Sequence, residues 1–287
     1  MPTRREFVAL SALGVAGVRH PPVLATPSPA AGIPAARQAV TRWPFGGMPL
    51  DQFCGMVKRL GFGAVDLVDQ RDWDAVKAHG LAISTANSTL RRDFIARGLN
   101  DPANHATILA ELEAVIPAAA AAGIPNVIAM FGNDTGLSDD AAIAHCATAL
   151  AQIAPTAERH GVTVILEMLN SRVDHRNFQG DTTAFGVAVC ERVNSPRVRL
   201  LYDIYHMQIM EGDVIRTIRT HGQWFAHYHT AGNPGRNELD ARQELQYGAI
   251  AEAIAASGFT GWVAHEFLPT GDAEAGLAQA RDVVQGA

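Results

Sequence analysis

The chain has 287 residues, is 48% hydrophobic, and carries Lys+Arg 23 against Asp+Glu 29 for a formal net charge of -6. That length suits one large core and requires no second domain. The acidic balance, with no run of Lys and Arg beyond the first residues, excludes the electrostatic footprint of a nucleic-acid binder and favours a small metabolite as partner. The three cysteines, Cys54, Cys146 and Cys190, lie apart in apolar or helical stretches and read as buried small hydrophobes, neither disulfides nor zinc ligands.

Residues 1–32 differ in kind from the rest. Thr3-Arg-Arg-Glu-Phe7 precedes the mildly apolar run Val8–Val18, and a Pro/Ala/Ser-rich segment follows around Pro27–Ala31. An arginine pair before a short Gly/Ala-rich run is similar to a twin-arginine export signal, and the run is too short to span a bilayer. The expectation is a leader and linker over 1–32, a mature periplasmic protein beginning after Ala25, and one catalytic domain over 33–287; the bland alternative is an extension that is never cleaved.

From about residue 38 strand and helix patterns alternate. Gln38–Trp43 is a first strand ending in Pro44-Phe-Gly-Gly47, and Leu50–Leu60 has helical spacing. Ala64–Val68 is a second strand, Asp72–His79 a short helix stopped by Gly80, and Leu81–Thr85 a third strand. The loop Asn87–Asn104 is long enough to cover a site. An Ala-rich helix over His105–Ala122 leads to the fourth strand, Pro125–Met130, and Ser138 can cap a helix running to about His160.

The remaining strands share one feature. Gly161–Asn170, Val198–Asp203, Trp224–His229 and Trp262–Glu266 are short, apolar or aromatic runs bounded by helical stretches at about 181–193, 205–220 and 245–257, with a last helix from 272. Each is a buried parallel strand delivering a possible metal ligand at its far end: Glu167, Asp203, His229 and Glu266. A buried ionised carboxylate costs several kcal/mol unless paired, and one shared divalent cation is the economical partner. Parity sorts the neighbours. If Glu167 faces the interior, so do Ile165 and Thr163, while Met168 and Leu166 face the helices; Glu266 shares its face with Ala264 and Trp262, and His265 points away. His229 is preferred to His227 as ligand, and His227, one layer deeper, reads as a hydrogen-bonded core histidine. Eight strand–helix units make an α/β fold of the single (β/α)8 TIM-barrel type. A doubly wound sheet fits less well, because no glycine-rich phosphate turn follows the first strand.

The stretches Leu166–His175, Leu201–Asp213, His227–Asp240 and His265–Pro269 resemble the hydroxypyruvate isomerase family, within the xylose-isomerase-like barrels of sugar isomerases and epimerases. The similarity runs from about Gln38 to Pro269; the leader departs from a family that is generally cytoplasmic. The resemblance implies a divalent metal held by Glu167, Asp203, His229 and Glu266, with Glu167 and Glu266 also serving as acid and base. It further implies substrate contacts from His206, three residues after Asp203, and from Arg236 in the loop after the seventh strand.

Such chemistry moves a carbonyl along a carbon chain by removing a proton from the neighbouring hydroxyl-bearing carbon. The resulting enediolate must be stabilised before a carboxylate can act as base, which a Lewis-acidic cation does. Three carboxylates and one imidazole suit Mg²⁺, Mn²⁺ or Co²⁺ better than zinc. A guanidinium at Arg236 can grip a substrate carboxylate with two parallel hydrogen bonds. Asn170, Arg172, His175 and Gln179 can form a polar lid or lie on the surface, and Trp43 and Phe131 either wall the pocket or belong to the core. The expected activity is hydroxypyruvate to 2-hydroxy-3-oxopropanoate. The alternatives are a 2-oxo-tetronate isomerase or ketose 3-epimerase on the same site, a DNA-repair endonuclease that would need more His ligands and a basic face, and a non-catalytic sugar- or carboxylate-binding barrel. A homo-oligomer is compatible with all of these.

Overall fold

The computed structural model describes residues 32–286, so the export-like leader lies, except for Gly32, outside the described residues. The strands in chain order are β1 (Gln38–Thr41), β2 (Ala64–Asp66), β3 (Ala82–Ile83), β4 (Thr85–Ala86), β5 (Asn126–Met130), β6 (Thr163–Glu167), β7 (Val198–Asp203), β8 (Phe225–Thr230) and β9 (Trp262–His265). The helices are α1 (Leu50–Arg59), α2 (Trp73–Ala78), α3 (His105–Ala122), α4 (Asp139–His160), α5 (Thr183–Val193), α6 (Ile204–Met210), α7 (Val214–His221), α8 (Tyr247–Ala256) and α9 (Ala273–Gln285).

All strand pairs are parallel, in the order β3-β2-β1-β9-β8-β7-β6-β5-β4. β3 and β4 flank the single residue Ser84 and are two halves of the predicted third strand. β2 pairs with β3, β4 pairs with β5, and a bridge from Val68 to Ala86 completes the ring, giving the expected TIM barrel. Parallel neighbours need crossovers, and the helices supply them on the outside.

Local chemistry accounts for most element ends. Ser138, Thr182 and Asp272 accept hydrogen bonds from the first-turn amides of α4, α5 and α9. Gly123 and Gly161, at φ 75° and 70°, end α3 and α4 in the left-handed conformation that glycine adopts without a Cβ penalty. α3 is apolar enough by composition to cross a bilayer; here it buries Ile108, Leu112, Val115, Ile116 and Ala119 against the barrel.

Two expectations shift. The helix expected over 205–220 is two helices, because Gly212 and Asp213 take φ 66° and 45° and end α6. The break is held from outside: the Glu211 carboxylate accepts from the Thr183 hydroxyl at 2.6 Å. The first strand ends at Thr41, and Trp43 begins a short 3-10 turn at the barrel mouth.

Parity holds inside the barrel. Ala39, Ala64 and Ala264 cluster with Trp262 in the interior. His265 points out, bonded to Thr230 Oγ1 and Gln38 Oε1 at 2.8 Å each. Met168 faces α5, where its sulfur would lie 3.0 Å from a Cβ added at Gly186. The three cysteines are free and buried, and burial pushes the Cys54 thiol up to about 11.

Candidate active site

Side chains from four strand ends meet at the C-terminal mouth. β7 and β8 place Asp203 in register with His229, and β8 and β9 place His229 opposite Ala264, so that Glu266 follows one residue beyond β9. His229 is at the centre. Its Nδ1 lies 2.9 Å from Glu266 Oε2, 3.2 Å from Glu167 Oε1 and 3.8 Å from Asp203 Oδ2, and all four residues are buried.

The helix after β7 orients Asp203. As N-cap of α6 it accepts the His206 amide on Oδ1 at 3.1 Å, which turns Oδ2 toward the cluster. Glu266 is held from three sides: Trp43 Nε1 donates to Oε1 at 2.6 Å, Arg236 Nη2 donates to Oε2 at 2.5 Å, and His229 closes the third. Arg236 is stacked between the rings of Trp43 and Tyr205, at 5.1 and 5.5 Å, with its backbone at φ 57°. It therefore rests on the carboxylates of the cluster.

Three acids packed together need compensation, and the charges supply it. Burial alone depresses His229, but Glu266, hydrogen bonds to Asp66 and Glu266, and the nearby Glu167 carboxylate carry it well above the usual imidazole range. Burial raises Glu266, yet His229 and Arg236 hold it well below the usual carboxylate range. For Asp203 burial is largest and, with Glu266 and Glu167, outweighs Arg236 and His229, pushing it up to about 7.

His206 faces the same cluster. The Asn170 amide N–H donates to its Nδ1 at 3.2 Å, so the ring proton sits on Nε2, which is buried, unpartnered and 3.7 Å from Asp203 Oδ2. Burial, with Arg236 and His175 nearby, lowers its pKa well below the usual value and keeps the ring neutral. Of the proposed lid, His175 lines the pocket, Asn170 orients His206, and Arg172 and Gln179 tie loops through Ile209 O and Leu137 O. Trp43 walls the pocket; Phe131 is core, packed edge-on to Phe178 and Phe185.

The cavity over the cluster measures about 340 Å³, with Leu67, Phe94, Ile95, Met130 and Leu169 forming an apolar wall. Phe94 and Ile95 come from the long loop after β4, which is fastened by Leu99 N to Met130 O at 3.0 Å and Asn100 N to Phe131 O at 2.8 Å. Gly98 is required there, because a Cβ would collide with the backbone of Phe131 and Gly132. A larger cavity of about 670 Å³ lies at the opposite mouth, among Asn126, Thr163, Phe225 and Trp262. It has no carboxylate or imidazole in its lining, which leaves the smaller one as the candidate site.

The donor set fits a divalent cation. One atom from each of Glu167, Asp203, His229 and Glu266 lies within 4.8 Å of the others, and Glu167 Oε1 is buried without an aligned hydrogen bond. Three carboxylate oxygens at that separation repel unless positive charge is shared among them.

A profile described as xylose isomerase-like TIM barrel matches residues 55–285. The chain belongs to the xylose isomerase-like TIM barrel family. Among curated relatives of this family member, the 2-oxo-tetronate isomerase of Cupriavidus necator is 34% identical over 128 residues, 45% of this chain and 48% of that protein. The human putative hydroxypyruvate isomerase is 28% identical over 192 residues, 63% of this chain and 67% of its own length. The chain thus spans about half to two thirds of the length of these two relatives. A crystal structure titled AP endonuclease, family 2, from Brucella melitensis superposes with a TM-score of 0.76 at 27% identity, covering 84% of this chain and 97% of that one.

One residue of the cluster escaped sequence reasoning. Asp66, at the end of β2, is fully buried with Oδ2 2.9 Å from His229 Nε2 and Oδ1 3.1 Å from His227 Nε2. Burial raises its pKa, but the two imidazoles outweigh this and carry it well below the usual range. Its signal differs from that of Glu167, Asp203 and Glu266: in the sequence Asp66 stands in the middle of the run Ala64–Val68, and only the structure ends the strand there. His227, expected as a hydrogen-bonded core histidine, is in the core, but neither ring nitrogen makes an aligned hydrogen bond; its Nε2 lies 3.1 Å from this carboxylate.

Proposed function

We propose that the protein is a metal-dependent isomerase of small hydroxy-oxo acids, with hydroxypyruvate converted to 2-hydroxy-3-oxopropanoate as its type reaction. The observation that carries the reading is the convergence of Glu167, Asp203, His229 and Glu266 on one buried point under a cavity at the barrel mouth. In this reading those four would hold Mg²⁺, Mn²⁺ or Co²⁺, which would supply Lewis acidity toward the substrate's carbonyl.

The protein's own groups do the rest. Glu167 borders the cavity, and it takes the proton from the hydroxyl-bearing carbon. Glu266, pinned by Trp43, Arg236 and His229, borders the same cavity; it takes the proton of the substrate hydroxyl and passes it to the former carbonyl carbon, while the proton held by Glu167 goes to the former carbonyl oxygen. The Nε2–H of His206 donates to the oxygen on which charge develops, and it needs no reorganisation because its Nδ1 is fixed by Asn170. Arg236, already at the rim of the cavity, grips the substrate carboxylate. The apolar wall excludes water from the carbanion.

The 34% identical 2-oxo-tetronate isomerase and a cavity of about 340 Å³, roomy for a three-carbon acid, favour a second reading in which the substrate has four carbons. Incubating the metal-loaded protein in D₂O with hydroxypyruvate, 2-oxo-tetronate and ketohexoses tests both readings. Deuterium entering the carbon next to the carbonyl supports an isomerase, and product analysis identifies the substrate. Binding without exchange across the panel would leave only a binding protein. The export reading of residues 1–32 places the enzyme in the periplasm, and N-terminal sequencing of the native protein that returned residue 1 or 2 would refute it.

A further inference from the structure

The two nitrogens of His229 do different things, and the difference is set by the end of β2. Nδ1 faces Glu167, Asp203 and Glu266, while Nε2 points away from them to Asp66 Oδ2 at 2.9 Å. A neutral imidazole has one protonated and one lone-pair nitrogen, so a cation can be held by Nδ1 only if the proton stays on Nε2.

We propose that Asp66 is the positioning residue that keeps the proton of His229 on Nε2 and so presents the Nδ1 lone pair to the cation; this rests on the metal-dependent reading above. Asp66 is suited to the task because it cannot turn away. Ser84 Oγ donates to Oδ1 at 2.5 Å, Thr41 Oγ1 to Oδ2 at 3.4 Å, and His227 Nε2 stands 3.1 Å from Oδ1. The anchors come from β1, from β8 and from Ser84, the residue that interrupts the third strand. The break between β3 and β4 thus falls where its side chain serves the site.

Asp66, His227 and His229 also form a cluster with the spacing of a metal site. The pattern of contacts argues against that use. Both oxygens of Asp66 are already shared among hydroxyl and imidazole neighbours able to donate, the arrangement of a carboxylate acting as acceptor. Carboxylate partners of metal-bound histidines fix ring orientation and raise ligand basicity, and losing one typically weakens metal binding about 10–100-fold.

The test titrates metal-stripped full-length chain with MnCl₂ by calorimetry, for wild type, Asp66→Asn and Ser84→Ala. Asp66→Asn is nearly isosteric, and its amide can also present a donor to Nε2, which favours the wrong tautomer. The expected result is one Mn²⁺ per chain in all three, with affinity about 10–100-fold lower in Asp66→Asn and a smaller loss in Ser84→Ala. Ser84→Ala carries the test if Asp66→Asn does not unfold cooperatively. A ¹⁵N spectrum of Zn²⁺-loaded wild type, with His229 assigned by its loss in His229→Gln, is expected to show protonated Nε2 and metal-bound Nδ1, a signature that a purely packing role for Asp66 would not set. Unchanged Mn²⁺ affinity in both variants, or metal on Nε2, overturns the proposal and leaves the isomerase reading standing. Two Mn²⁺ per chain, with one lost in Asp66→Asn, overturns it in favour of a second cation. Wild type that binds no divalent cation defeats the metal-dependent reading itself.

Discussion

Lowering the pH from 8 to 6 is expected to weaken cation binding by more than about tenfold, and the figure follows from Asp203, with His229 adding in the same direction. Asp203, pushed up to about 7, is mostly ionised at pH 8 and mostly protonated at pH 6, which costs about tenfold. His229, carried well above the usual imidazole range by the surrounding acids, must lose a proton from Nδ1 before it can serve as ligand, so its protonation weakens binding further. The sign is fixed: protons and the cation compete for the same atoms, so affinity is lost as pH falls. At pH 7 binding should release protons, about half of one from Asp203 and more from His229. Calorimetry in two buffers of different ionisation enthalpy reads that number directly. A flat affinity profile with no proton release would refute the charge arrangement described for the cluster, because the cation would then not be displacing protons from His229 and Asp203.

Other consequences are open to direct measurement. Glu167→Gln and Glu266→Gln should each lower kcat on the order of 10² to 10⁴-fold; full activity with metal retained in both would remove them as proton carriers. His206→Gln should cost on the order of 10²-fold in kcat, as loss of one preorganised donor does, while Mn²⁺ affinity measured by calorimetry stays as in wild type. Adding Mn²⁺ at about 100 times its Kd should stabilise the wild type by about 2.7 kcal/mol and raise Tm by roughly 5–10 °C. Phe131→Ala should cost about 3–5 kcal/mol in urea unfolding through the cavity it leaves beside Phe178 and Phe185, with KM unchanged.

Much of this molecule could be read from spacing. Short β-branched and aromatic runs alternating with helical patterns required parallel strands with outer helices, because each strand buried on both faces needs a crossover to reach the next. Strand parity then decided which way Glu167, Glu266 and His265 point, since side chains alternate whatever the neighbours are. Ser138 caps its helix as its chemistry suggested.

Other features depend on partners distant in sequence. Asp66 is an acid in a three-residue strand, and nothing along the chain says that His229, 163 positions away, will bond to it. The tautomer of His206 is set by Asn170 across 36 residues, and Arg236 comes to rest on Glu266 because Trp43 and Tyr205 stack on either side of it. The break between α6 and α7 is held by a bond to Thr183. Sequence alone determined the barrel, its inward faces and the four strand-end ligand candidates, because local periodicity and handed connections leave few alternatives. Only the tertiary structure decided which nitrogen of His229 faces the carboxylates and which acids lie close enough to shift one another, because charges and hydrogen bonds act through distance in space, which the order of residues does not encode.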